Sequence, residues 1–195
     1  MNAPPLILVF LAAVFTHNLL LHYFLGTCPF LGCSRDLGVA GRLGLAVTFV
    51  MFCTALINHA VYHGVLVPLR LQYLSLIVFV AVIAAFVQLL EMLVERFSPW
   101  LHVRLGIFLP LTTVNCAILG VTLLVRIENL DAWRTAAFAL GAGAGWTLAI
   151  VLLAGLREKM RCSDIPEPFR GVAAAMIITG VMAMAFIAFM GMIPV

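Results

Sequence analysis

An all-helical membrane protein with six spanning helices is the fold this sequence predicts, on three observations. Hydrophobic residues make up 65% of its 195 positions and charged residues only 10%, where a soluble domain is about 45–50% apolar and about 25% charged. Six uncharged stretches run through 1–34, 43–69, 71–90, 105–125, 135–156 and 171–195, and a spanning helix needs about 20 such residues. The charges fall in the short connections between them. The whole chain, 1–195, reads as one integral membrane domain with no soluble portion.

The first stretch is longer than one span requires. No Lys or Arg precedes its apolar run "LILVFLAAVF", so it is expected to be the first membrane helix rather than a cleaved leader. Its second half, "LGTCPFLG", sets Gly26, Pro29 and Gly32 around Cys28, and such residues should interrupt the helix inside the bilayer. His17, Asn18 and His22 lie upstream; Asn18 and His22, at i and i+4, read as packing contacts on one helix face. The second stretch ends with His59 and His63, also i and i+4. With no third ligand in that segment they read as interface anchors rather than a metal pair. The third closes on "FVQLLEMLVER", where Glu91 is expected to pair with Arg96 or Arg104.

In the fourth stretch, "GIFLPLTTVNCAILG", Pro110 precedes Cys116, so this helix too should be kinked or broken. Asn115, beside Cys116, is placed to donate a supporting hydrogen bond. The fifth begins near "GWTLAIV", and the Met-rich sixth reads as a packing surface for other subunits. Asp164, Glu167 and Arg170, in the basic connection before it, are expected to contact a cytoplasmic partner. The connections after helices one, three and five hold eight Lys and Arg residues, those after two and four hold three. The positive-inside rule then places the first set in the cytoplasm and both termini outside.

The chain also carries a weak internal repeat, about 1–95 and 96–195. "CPFLG" pairs with "CAILG", "GLAVTFV" with "GWTLAIV", and Pro68-Leu69-Arg70 with Pro168-Phe169-Arg170, in the same order. Three helices per half make the two halves opposite in direction, an inverted repeat whose broken helices one and four point to a site near mid-membrane. There, soft thiolates suit iron–sulfur clusters, copper(I) or zinc. Five cysteines are present, at positions 28, 33, 53, 116 and 162. Only Cys28 and Cys116 hold matching repeat positions. Two ligands leave a four-ligand site half filled, so a second chain would have to supply the others. Equally, free cysteines often serve as small buried hydrophobes, which is the reading for Cys33 and Cys53, with Cys162 a reduced thiol in the basic connection. The residues by themselves leave both readings of Cys28 and Cys116 open. No nucleic-acid motif, basic stripe or catalytic acid, base or nucleophile arrangement is visible.

"FLGTCPFLGCSRDL", "GLAVTFV", "LGIFLPLTTVNCAILG" and "DIPEPFRG" resemble the RnfA/NqrE family, over about residues 6–192. "CPFLG", "PEPFRG" and "LVPLRLQYL" favour the RnfA side, while "TVNCAI", "GWTLAIV" and "REKMRCSD" look like NqrE. The resemblance implies a bacterial inner-membrane subunit paired with a homologous six-helix subunit of opposite orientation, of the RnfE or NqrD kind. It further implies one [2Fe–2S] cluster held between the pair, with Cys28 and Cys116 as this chain's two ligands, and Asn115, Gly26 and Pro29 around them. Other Rnf subunits would carry flavins and further clusters, and the complex would couple ferredoxin:NAD electron transfer to Na+ or H+ movement. In that setting Gly26 and Pro29 break the helix so that the Cys28 sulfur turns to the metal. Two other functions fit the composition: a stand-alone inverted-repeat transporter, and a structural membrane anchor for a redox partner.

Overall fold

The computed structural model describes residues 5–34, 36–70, 72–97, 115–160 and 171–188. Pro110, Arg104, Cys162, Asp164, Glu167 and Arg170 lie outside them. Among the described residues the α-helices are, in order, α1 (Leu6–Leu11), α2 (Thr27–Cys33), α3 (Leu37–Val61), α4 (Ser75–Phe97), α5 (Cys116–Ile127), α6 (Ala132–Met160) and α7 (Val172–Ile187). A π-turn extends α1 through Ala12–Thr16 and another extends α3 through Tyr62–Leu66. Among the described residues there is no strand.

Among the described residues, three helices are long and apolar enough to cross a membrane: Leu37–Leu66, Ser75–Leu93 and Ala132–Met160. Three apolar helices are shorter: Leu6–Thr16, Cys116–Ile127 and Val172–Ile187. Each of the six uncharged stretches of the sequence overlaps one of these. At about 1.5 Å per residue, Leu6–Thr16 and Cys116–Ile127 each span about half of a hydrocarbon core of about 30 Å.

The first of them ends where polar chemistry replaces helix. At His17 the backbone leaves the helical region (φ −105°, ψ 43°). Asn18, only 1% exposed, then serves four backbone groups. Its Nδ2 donates to the carbonyls of Val14 and Gly145, both at 3.1 Å, and its Oδ1 accepts from the N–H groups of Leu20 at 3.1 Å and Leu21 at 3.3 Å. Asn18 and His22 therefore do not share a helix face, as the spacing suggested; Asn18 is the plug of a broken helix. The chain passes Phe24 and Gly26, both at positive φ (55° and 83°), and α2 starts at Thr27. Pro29 is the third residue of α2. It does not break a helix but sits in a first turn, where its missing N–H has no intrahelical acceptor to lose. The interruption lies upstream, made by Asn18 and Gly26.

Helix α6 is the central post, because glycines let two neighbours approach it closely. On one face Gly141 and Gly145, i and i+4, receive the first segment. A Cβ on Gly141 would lie 2.7 Å from the Phe10 carbonyl oxygen, and one on Gly145 would lie 2.9 Å from that of Val14. The other face meets α3 in a reciprocal arrangement. A Cβ on Gly44 of α3 would lie 2.4 Å from the Thr147 methyl, and one on Gly143 of α6 would lie 2.7 Å from the Thr48 methyl. The Thr48 and Thr147 hydroxyls hydrogen-bond each other at 3.0 Å. In membranes such small-residue contacts, with hydroxyls between them, are a main source of helix association. At Gly143 the obstruction includes the Thr48 Cα at 2.9 Å, which no rotamer change relieves. We expect Gly143→Val to separate α3 from α6, at a cost of about 1–3 kcal/mol, read as a lower midpoint in a detergent-denaturation series.

Two arginines mark opposite ends of the bundle. Arg157, near the end of α6, donates to the Leu31 carbonyl at 3.0 Å, to the Ser34 hydroxyl at 2.6 Å and to the Gly171 carbonyl at 3.3 Å. It thus joins the connections after the first and fifth stretches, which the charge count put on one side. Arg126, at the end of α5, donates to the Ser75 hydroxyl and lies 5.6 Å from the centre of the Tyr62 ring, joining the connections after the second and fourth. Glu91 is half-buried on α4 and forms no ion pair with Arg96, five residues on along the same helix. The spacing misses because side chains meet at i+3 and i+4.

Candidate metal centre

Cys116 is the first residue of α5, and the residue before it builds its setting. Asn115 takes an extended backbone (φ −76°, ψ 108°) and its side-chain oxygen accepts the Ala117 N–H at 3.1 Å. That is an N-cap, the arrangement that starts a helix by satisfying a donor with no intrahelical partner. The Cys116 sulfur therefore sits at a helix N-terminus, where backbone dipoles favour negative charge.

The sulfur has a donor from the other half of the chain. The Gly26 N–H points at Cys116 Sγ with a separation of 2.9 Å. Gly26 is buried and left-handed (φ 83°, ψ 24°), a shape glycine takes at no steric cost. A Cβ there would stand 2.7 Å from Trp146 Nε1 and 3.0 Å from both Ala117 Cβ and Asn115 Oδ1. Trp146 and Asn115 thus close over the same glycine. Trp146 Nε1 and Asn115 Nδ2 are both buried and have no hydrogen-bond partner among the described residues. Two side chains with a bare N–H donor thus flank Gly26, whose own N–H is engaged by the Cys116 sulfur, in a place where an unpaired donor costs about 1–3 kcal/mol.

Cys28 is the second residue of α2, two positions after Gly26, and is exposed on the surface of the chain. The structure therefore brings the Cys28 segment against the Cys116 sulfur across 90 residues of sequence. Cys33, at the end of α2, is 2% exposed and packed within the hydrophobic core, and Cys53 is half-buried on α3. Pro29 is buried one residue past Cys28. The His59 and His63 rings lie tilted with centres 4.6 Å apart, and His59 Nε2 donates to the Leu130 carbonyl at 3.0 Å. That bond fastens the end of α3 to the turn before α6.

Two cysteines at the starts of two helices, with one backbone N–H donating to the Cys116 sulfur, suit half of a thiolate-ligated iron or zinc centre. Among the described residues, no group of three or more His, Cys, Asp or Glu comes together, so the remaining ligands of such a centre would come from outside the described part of the chain. The contribution of Trp146 escaped the sequence reading, which saw "GWTLAIV" only as a helix start. Its signal was there: an indole N–H in an uncharged membrane stretch needs a partner.

Comparison with known proteins gives the family. The family model described as "Rnf-Nqr subunit, membrane protein" matches residues 6–193. The chain belongs to the Rnf-Nqr family. Among its relatives, the A-type subunit of the Na(+)-translocating ferredoxin:NAD(+) oxidoreductase complex of Acetobacterium woodii is 44% identical over 187 residues, covering 96% of this chain and 97% of that one. The E-type subunit of the Na(+)-translocating NADH-quinone reductase of Pseudoalteromonas translucida is 44% identical over 193 residues, covering 94% and 96%. Its counterpart in Chlamydia trachomatis serovar L2 is 46% identical over 195 residues, covering 94% and 80%. Both sister types of the Rnf-Nqr family, A-type and E-type, are thus similar to this chain to nearly the same degree, as the mixed motifs of the sequence suggested.

Proposed function

We propose that this chain is the A-type membrane subunit of an Rnf-type ion-translocating oxidoreductase complex in a bacterial inner membrane. In this reading Cys28 and Cys116 supply half of a [2Fe–2S] cluster shared with a homologous subunit of opposite orientation. The observation that carries it is the Gly26 N–H on the Cys116 sulfur, which joins the two cysteine segments at the starts of two helices. The exposure of Cys28 supports a partner's share, since that sulfur faces whatever packs on the chain. The ferredoxin:NAD(+) and NADH-quinone activities in the relatives' names support an electron-carrying complex. Flavins and further clusters then belong to other subunits, and the exposed Met176 and Met184 of α7 are surfaces for them or for lipid.

The reading includes six spans in two inverted halves. The reciprocal crossing of α3 and α6 supports it, because Gly44-x-x-x-Thr48 meets Gly143-x-x-x-Thr147 as like meets like. This register, two residues off the pairing of Gly44 with Gly145, is the better alignment of the halves.

Such a cluster, when bound, takes up and releases one electron at a time within the bilayer. This chain's residues hold and tune that position. Gly26 fixes the Cys116 sulfur through its N–H. That N–H stabilises negative charge on the sulfur, which raises the potential of a thiolate centre, and the unpaired N–H groups of Trp146 and Asn115 beside Gly26 are available to a bound cluster. The N-terminus of α5 acts in the same direction. The purified complex, reduced with dithionite, should give a paramagnetic [2Fe–2S] signal in addition to those of the soluble subunits. A complex whose membrane pair holds no iron would overturn the proposal. Co-purifying partners decide between the A-type and E-type sisters.

A further inference from the structure

The helix that carries Cys28 is short. α2 has seven residues, about two turns, and no side chain caps its start; helices of this length are marginal alone. Pro29, Phe30 and Cys33 bury one of its faces. Apolar burial is non-directional, so it fixes which face turns inward and sets the position along the helix axis only weakly. Directional bonds set that, and α6 supplies them. Arg157 Nη1 donates to the Leu31 carbonyl at 3.0 Å and to the Ser34 hydroxyl at 2.6 Å. Leu31 lies one turn past Cys28, and its carbonyl is among the last four of α2, which have no intrahelical donor. A cation at that end also suits the helix dipole.

The other end of α2 is held from the same helix. Trp146, about three turns before Arg157 on α6, is the side chain that covers Gly26 just ahead of α2. Whole turns put the two on one face of α6, so α2 is gripped at both ends by a single 29-residue helix. The second nitrogen of the fork, Nη2, donates to the carbonyl of Gly171 at 3.3 Å, the residue before α7. We infer that Arg157 is a positioning residue: it sets where Cys28 stands relative to the Cys116 sulfur, and ties that position to the start of α7. The inference rests on the reading of Cys28 as a cluster ligand.

The test compares Arg157→Gln, Arg157→Lys and Ser34→Ala in the intact complex, by amide hydrogen exchange and by redox titration of the membrane cluster. In Arg157→Gln the α2 amides should exchange about tenfold faster, the scale of one lost charge-assisted hydrogen bond, while α3 and the Trp146 turn of α6 stay protected. The midpoint potential of the cluster should shift with it. Lysine keeps the charge but lacks the planar fork, so Arg157→Lys should rescue both readouts in part. Ser34→Ala removes one acceptor without touching α6 and should give the same changes in weaker form. Unchanged α2 exchange in Arg157→Gln and Ser34→Ala, or faster exchange with an unaltered potential, would overturn the inference. So would faster exchange spread evenly over α3 and α6, which is general loosening. A wild-type complex with no membrane cluster would overturn the ligand reading of Cys28, and the consequence for the cluster with it, while exchange, which needs no iron, still reads the hold on α2.

Discussion

If the proposed cluster is held as inferred, Cys116→Ser is expected to abolish its signal in the complex and to lower electron flux by more than about 100-fold, beyond the 10–100-fold that loss of an outer-shell partner costs. Cys28→Ser is expected to do the same. A serine oxygen is a hard, poorly ionised donor, and iron in a cluster is held by soft thiolate. The Gly26 N–H, now aimed at an alcohol oxygen, no longer serves a sulfur. The control is Cys33→Ser. That sulfur is 2% exposed and packed in the core, so burial of a hydroxyl costs about 1–3 kcal/mol of stability while the paramagnetic spectrum stays as it was. Flux that survives in both Cys116→Ser and Cys28→Ser would reduce the chain to an anchor.

Gly26→Ala is the second large effect. The left-handed backbone costs a residue with a Cβ about 1–2 kcal/mol. The new methyl would also stand 2.7 Å from the Trp146 indole nitrogen, and Trp146 is fully buried with little room to yield. Overpacking of this kind adds about 1–3 kcal/mol. Relief requires the 18–26 segment to pull away from α5, which takes the N–H off the Cys116 sulfur. The expected readout is a cluster signal that is lost, or one with a lowered reduction potential in whatever fraction assembles. Gly32→Ala is the matched control. Nothing stands within 4 Å of its would-be Cβ, and alanine in a helix is favoured over glycine by about 0.5–1 kcal/mol. A Gly26→Ala complex with unchanged potential and stability would remove Gly26 from the site.

The membrane class and the six apolar segments were legible because both are counts: charges are few, and their gaps have the length of a bilayer. The repeated Cys-x-x-x-Gly pattern drew attention to two segments, and the structure joins them through the Gly26 N–H on the Cys116 sulfur. What the sequence hid was local. Pro29 looked like a breaker because proline both starts and ends helices, and only the position of the preceding left-handed Gly26 decides between the two. Asn18 looked like a packing contact between helices because its spacing to His22 is helical, whereas its true partners are backbone groups, which carry no sequence signature. Trp146 lies more than 100 residues from Gly26, and no local pattern announces which indole will cover which glycine.

One consequence follows from the way Asn18 closes the first helix. A helix that stops halfway through oil normally invites water to solvate its loose ends, and water in a membrane protein is a route for protons and small cations. Here a single carboxamide satisfies those ends from both directions, with Gly145 of α6 completing the set. Four backbone groups at the break are thereby satisfied by protein and need no water of their own. Asn18→Leu would leave the four bare and draw water to them.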